Sequence, residues 1–374
     1  MIARILSLVI KEFIHLRRDW GLPAFMLFGG LLELLLVGWA TSRPVTNLPL
    51  MVIDQDQSAA SRSIIQSLEN TTTFTLQSWE DDPGEIRPAF ERGLANAAVV
   101  IPPGFEAEMS ATDGQPTLMV LLNGSESPSA TAALRTVEGL GAEIGQRLEL
   151  QRLGLEPETF ESFTPSVRVW FNEELSEALY TTPAELALML EFTVLIFAAI
   201  SFSREREMGT LEQLLVMPFS SLEIIIGKSI PAILVTFTDF ALMLGIVHLA
   251  FDVPVRGSLP LLLLIAFGYL LVELSKGLLI SVTSRTQHQA FLFVMVIGMV
   301  DFMFTGYAAP VEAMPQALQV LSNLIPAHHW LTILRGILLK GVGLEVLWPH
   351  LLALLVLGVL WAVFSARFIR RALS

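Results

Sequence analysis

Six long apolar runs constrain this chain more than any other feature. Residues 22–41, 184–202, 229–251, 259–282, 291–309 and 347–368 form them. Each holds roughly 20 residues, enough to cross a hydrocarbon core of about 30 Å. Backbone in lipid must satisfy its own N–H and C=O groups, so such runs are expected as helices. Basic residues gather before the first run, after the second (Arg204, Arg206, Lys228), after the fourth (Arg285) and after the sixth (Arg367, Arg370, Arg371). With six spans, all four places fall on one side. The positive-inside bias makes that side cytoplasmic, together with both termini. A mean hydropathy of +0.61, with only 16% charged residues, excludes an ordinary soluble protein. The chain has no Cys, which excludes disulfides, thiol chemistry and thiolate metal sites.

Residues 44–183 are too polar to enter a bilayer. They carry about 21 acidic and 7 basic residues and no Lys, about −14 against a chain total of −13, which leaves the rest of the chain near +1. Their pattern alternates. Residues 48–53, 74–77, 97–102 and 117–122 read as strands, and a last strand is expected at 167–171. Residues 58–69, 85–94 (weakened by Pro88) and 130–153 read as helices. The expectation is a small α/β domain with its own core, facing outward between the first and second spans.

Residues 2–20 read as an amphipathic helix. Ile2, Ile5, Leu6, Val9, Phe13, Leu16 and Trp20 keep helical spacing, with Arg4, Lys11, Arg17 and Arg18 opposite. That pattern suits a membrane interface. After the second span comes SREREMGTLEQL, residues 203–214. Thr210 offers an N-cap with Gln213 at the capping-box position, Leu211, Leu214 and Leu215 share a face, and Pro218 stops the helix. Ser220 with Glu223 offers a second box. Residues 310–346 hold two short amphipathic segments broken by Pro315, Pro326 and Gly341, too short to cross, so a re-entrant or interfacial hairpin is expected.

Several charges fall inside apolar runs: Glu33, Glu191, Asp239, Glu273, Lys276 and Asp301. An Asp at a helix centre costs about 2.5–3.5 kcal/mol on insertion scales. Glu273 and Lys276 sit at i,i+3 and can neutralise one another. Asp301 has no basic residue one turn away, so it is expected to face another helix, water or a translocation path, with Gly298 and Gly306 allowing close approach. Glu33, Asp239, Glu273, Lys276 and Asp301 are the path candidates. Residues 224–229, IIIGKS, end like a phosphate-binding loop, but Leu222 stands where that loop needs Gly. Gly227-Lys228 therefore reads as a helix start with a snorkelling Lys. His328 and His329 are adjacent and point apart on a helix, so no metal set is expected. No catalytic set appears at membrane depth.

These residues resemble a known family, the membrane permeases of ABC-2 type exporters, in the branch with a large outer domain. The segments that carry the resemblance are KEFIHLRRD (11–19), VIDQDQSAASRSI (52–64), IPPGF (101–105), NGSESPSA (123–130), EREMGTLEQLLVMP with GKSIP, SRTQHQA (284–290) and LRGILLKG (334–341). The resemblance implies a mostly α, polytopic membrane protein of six transmembrane helices with an α/β extracytoplasmic domain. It implies that the loop after the second span, residues 204–228, carries a coupling helix for a separate ATPase. Glu205, Glu207, Gly209 and Thr210 match that motif, and Leu211 and Leu214 complete its apolar face. It further implies a bacterial inner-membrane permease, a second permease copy or paralogue, and export of a hydrophobic or amphipathic small molecule. A periplasmic membrane-fusion adaptor and membrane lipid are further expected partners, and nucleic acid is not. The partner ATPase would use ATP and Mg, and this chain would hold no cofactor or metal of its own. The alternative is a mechanotransmission complex in which nothing crosses the membrane.

Overall fold

The computed structural model describes every residue except 19, 43–44, 112, 153–169, 173–175 and 374. The chain divides into two compact units, Met1–Arg43 with Arg168–Ser374, and Pro44–Val167. The first unit opens with helices α1 (Ile2–Arg18) and α2 (Gly21–Thr41). Leu8 and Val9 are the buried residues of α1, while Ile2, Leu6 and Phe13 of its apolar stripe stay exposed.

The second unit runs β1 (Leu48–Asp54), α3 (Ala59–Glu69), β2 (Phe74–Trp79), α4 (Ile86–Glu91), β3 (Ala97–Ile101), α5 (Phe105–Ser110), β4 (Met119–Leu122) and α6 (Ser127–Arg152). The sheet order is β2-β1-β3-β4, with β1 parallel to both neighbours and β4 antiparallel to β3. The central strands are covered on both faces, which explains their unbroken apolar sequence. Leu50, Val52, Val99 and Ile101 pack with Ile64, Ile65 and Leu68 of α3. The alternate residues Met51, Ile53, Ala98 and Val100 pack with Ile86 and Ala89 of α4, as the two-residue period of a strand requires. Ser58 caps α3 by accepting from the Ser61 amide at 3.0 Å. The Asp56 carboxylate accepts from the amides of Gly104, Phe105 and Glu106 at 2.8–3.0 Å. The Ser58 hydroxyl and these amides hold Asp56 below the usual carboxylate range. The short α5 carries no clear local signal, and α4 stops short of residue 94 because the chain turns left-handed at Gly93, φ +69°.

The first unit resumes with α7 (Glu177–Glu207), α8 (Leu211–Val216), α9 (Ser221–Ala250), α10 (Leu259–Thr283), α11 (Gln287–Phe304), α12 (Gln316–Ser322), α13 (Pro326–Arg335) and α14 (Leu344–Leu373). Among the described residues, α2, α7, α9, α10, α11 and α14 are long and apolar enough to cross a membrane. Helix α7 is their hub and packs against α2, α9, α10, α11 and α13. Three expected boundaries move. The second span starts at Glu177, not 184, and Pro183 lies buried inside it. A proline forfeits one backbone hydrogen bond, and the Thr182 hydroxyl donating to the Ala178 carbonyl at 2.6 Å ties the turn beside it. The unit boundary accordingly falls before α7 and not at Pro183. The third span begins at Ser221. The expected strand at 167–171 does not form at its described end: 167–169 lie outside the described residues, and Trp170 and Phe171 are not extended into a strand, Phe171 having φ of 72°.

Helix α13 shows what the proline-broken hairpin does. Trp330 is fully buried, stacked on Tyr269 of α10 with ring centroids 5.2 Å apart and tilted against Phe240 of α9 at 5.8 Å. The chain then makes one π-helical turn, Gly336–Lys340, and Gly341 reverses it at φ 69°.

Candidate functional site on helix α7

Two ion-pair knots share α7, one at its C-terminal foot and one near its middle. At the foot, the Glu205 carboxylate lies 2.5 Å from the Lys11 ammonium of α1 and 3.1 Å from that of Lys228 on α9. Lys228 also bonds Glu12 of α1 at 2.7 Å and the Ser201 carbonyl at 3.2 Å. Lys228 was expected to snorkel at a helix start. It lies instead well inside α9, its side chain 1% exposed. Close approach of α1 makes this possible, since a Cβ on Gly227 would collide with Leu8.

Beyond Glu205 the chain turns at Gly209, whose φ of +69° is the left-handed conformation that glycine adopts without strain. This turn corrects the expected Thr210–Gln213 capping box. Thr210 occupies the N-cap position of α8 but makes no capping bond, because the turn swings its hydroxyl back to donate to the Glu205 carboxylate. The Ser220–Glu223 box forms in full at the start of α9. Leu211 packs half-buried on the main core, and the side chains of Leu214 and Leu215 lie outside the described residues. On the other flank, Glu207 accepts from the Gln287 amide at 2.9 Å and so tethers the start of α11. Arg206 donates to the carbonyls of Val282 and Ser284 at the end of α10. The turn before α8 is therefore gripped from α1, α9, α10 and α11 together.

Glu12, His15 and Glu205 bring one ligand atom each within 4.8 Å of one another, a grouping the sequence reading missed. Burial depresses the His15 imidazole, but Lys11 and Lys228 already neutralise the two carboxylates.

At mid-helix, the Lys276 ammonium of α10 meets three carboxylates. Asp301 of α11 lies at 2.7 Å, Glu273 at 2.8 Å and Glu191 of α7 at 3.6 Å. All four side chains are buried. Asp301 thus finds the interhelical partner that its own helix lacks. Gly298 lets Phe192 of α7 close against α11, whereas Gly306 serves the turn after α11 at φ +89°. Glu191 was visible in the sequence as an in-span charge but was not ranked among the path candidates. Two of those candidates stay outside the knot: Glu33 is exposed on α2, and Asp239 is buried on α9 with no ion pair among the described residues. The histidines also differ from expectation. His328 and His329 come within 5.2 Å ring to ring, and His329 Nδ1 lies 3.0 Å from His350 Nδ1 of α14, because the short α13 docks against α14.

Comparison with known proteins agrees with this architecture. A profile of the family described as "ABC-2 family transporter protein" matches residues 20–367. The chain is 32% identical to the probable multidrug ABC transporter permease YbhR of Escherichia coli, over 96% of this chain and 95% of that protein. It is 27% identical to the inner membrane transport permease YhhJ of Escherichia coli, over 96% and 94%. ABC transporter G family member 20 of Dictyostelium discoideum is 23% identical, over 95% of this chain but 48% of that longer protein. With a match across nearly its whole length and six helices fit to cross a membrane, the chain belongs to the ABC-2 transporter family as a multi-pass membrane permease.

Proposed function

We propose that this permease is the membrane subunit of an ATP-driven exporter in a bacterial inner membrane, with its ATPase on a separate chain. The observation that carries this reading is the continuity of α7. One unbroken helix, Glu177–Glu207, runs from the mid-helix knot to the clamped turn that presents α8. A rigid helix held at its foot by Lys11, Lys228 and Gln287 converts displacement of α8 into tilt of the spans packed on it. ATP binding by the partner then selects between two packings that differ in affinity for the nucleotide-bound ATPase. In this reading Glu205, Glu207, Gly209, Thr210, Leu211 and Leu214 form the coupling surface. Two permease copies, or two related ones, enclose the path. The cargo is a hydrophobic or amphipathic small molecule, in keeping with the "multidrug" name of the relative YbhR. Basic residues at alternate span ends support a topology with both termini and residues 204–228 cytoplasmic and the α/β unit outside.

Coupling is tested in the permease co-reconstituted with its ATPase. Gly209→Trp and Glu207→Lys are expected to insert normally yet lose stimulation of ATP hydrolysis and export together. Unchanged hydrolysis and export in both variants would remove α8 from the coupling surface. Retained coupling with no cargo moved would favour mechanotransmission.

A further inference from the structure

The mid-helix knot does not balance. One ammonium, on Lys276, faces three carboxyl groups, on Glu191, Glu273 and Asp301, and each side chain is at most 7% exposed. A further titratable group of α10, Tyr269, is fully buried and faces Glu191 and Glu273. From α13 the neighbour is Trp330, stacked on Tyr269 and carrying no titratable charge. No second cation comes within ion-pair distance of the three carboxyls among the described residues. With every carboxyl ionised the knot would carry two uncompensated negative charges in a medium of low dielectric. Buried groups in that position take up protons rather than remain charged.

Glu191 stands out. Its side chain is fully buried, and its distance to Lys276, 3.6 Å, is the longest of the three. It also borders a small cavity of about 10 Å³, lined by Ala184, Ala187, Leu188, Thr305, Ala327 and Trp330 among others. That is room for about one water. The lining is shared by α7, α13 and the end of α11, so the cavity joins the knot to the re-entrant segment. A metal cation would need several oxygens around it, and the Lys276 ammonium already sits 2.7–3.6 Å from the oxygens it would use. A proton attaches to a single oxygen and meets no such obstacle.

We propose that Glu191, Glu273, Lys276 and Asp301 form an intramembrane proton-binding site. It holds two protons while Lys276 is charged, one of them on Glu191, and exchanges that proton through the water-sized cavity beside it. The site is neutral in this state, which is why the helices α7, α10 and α11 can close on it. Its proton count belongs to the cluster and not to one residue alone.

Infrared spectroscopy of the full-length permease in lipid nanodiscs tests this without reference to transport. At neutral pH the native protein is expected to show the C=O stretch of protonated, buried carboxyls. Exchange into deuterated water should shift that band slowly. Glu191→Gln replaces a neutral acid by a neutral amide, so it should leave the unfolding temperature unchanged and remove one carboxyl's share of the band, leaving the shares of the knot's second proton and of the buried Asp239 and Glu185. Asp301→Asn provides the second variant should Glu191→Gln fail to fold. Absence of a protonated carboxyl band at neutral pH in the native protein overturns the proposal. So does a band untouched by both variants. Stabilisation of the native protein by sodium or lithium over potassium, lost in Glu191→Gln, would assign the site to a metal cation and equally overturn it.

Discussion

The two knots on α7 are built from the same residue types and solve different problems. At the foot, two lysines meet two glutamates, Lys11 and Lys228 against Glu12 and Glu205, and the charges cancel. Lys11 is one-third exposed, so water and salt reach that side. At mid-helix one lysine meets three acids, all buried, and the charges cancel only through protons. The foot therefore behaves as an adjustable clamp next to the turn that carries α8. The middle behaves as a fixed weld whose strength depends on what titrates. A pair's worth depends less on its distance than on what is left unpaired when it is broken.

Removing a lysine from each knot is the direct way to break this comparison. The largest effect is expected from Lys276→Met, which leaves the one ionised carboxylate of the knot buried without its counter-ion. It should cost about 3–5 kcal/mol of stability near neutral pH, read as a lowered unfolding midpoint, with recovery on acidification as the remaining carboxylate protonates. A smaller loss than in the next variant would reverse the ranking. Lys228→Met should cost ~1–3 kcal/mol, since Lys11 still compensates Glu205. It should also loosen α1 from α9, visible as faster hydrogen exchange at the end of α1. The least effect is expected from Lys11→Met, about 0.5–1 kcal/mol after allowance for solvent screening. Raising salt from low to high ionic strength should shrink that difference further and leave the Lys276→Met loss unchanged. Equal salt sensitivity of the two would mean that the mid-helix knot is wet.

Much of the fold was legible because it is written in local periodicity. The strand–helix alternation from Leu48 to Arg152 follows from residues within a few positions of each other, and so does the Ser220–Glu223 box. Local signals failed where a local rule was overruled by packing. Pro183 reads as a stop, yet the buried surroundings of α7 carry the helix through it. Thr210 reads as a cap, yet its hydroxyl goes to Glu205. Lys228 reads as a snorkelling residue, yet two glutamates hold it inside. For Lys228 the competing partners came from α1 and α7, whose positions the local spacing does not encode, and for Thr210 the partner was five residues back, brought round by the left-handed turn at Gly209.

The sequence by itself determined that six helices are long and apolar enough to span a membrane, that an α/β unit separates the first two in chain order, and that charged residues lie at membrane depth. Hydropathy and turn chemistry are properties of contiguous residues, so they survive without coordinates. Only the tertiary structure decided which charges meet. Lys11 and Glu205 are 194 positions apart, Lys228 and Glu12 are 216 apart, and Lys276 reaches Asp301 from another helix 25 positions away. An ion pair needs its atoms within a few ångströms, and that closeness is set by which helix faces pack together, not by distance along the chain.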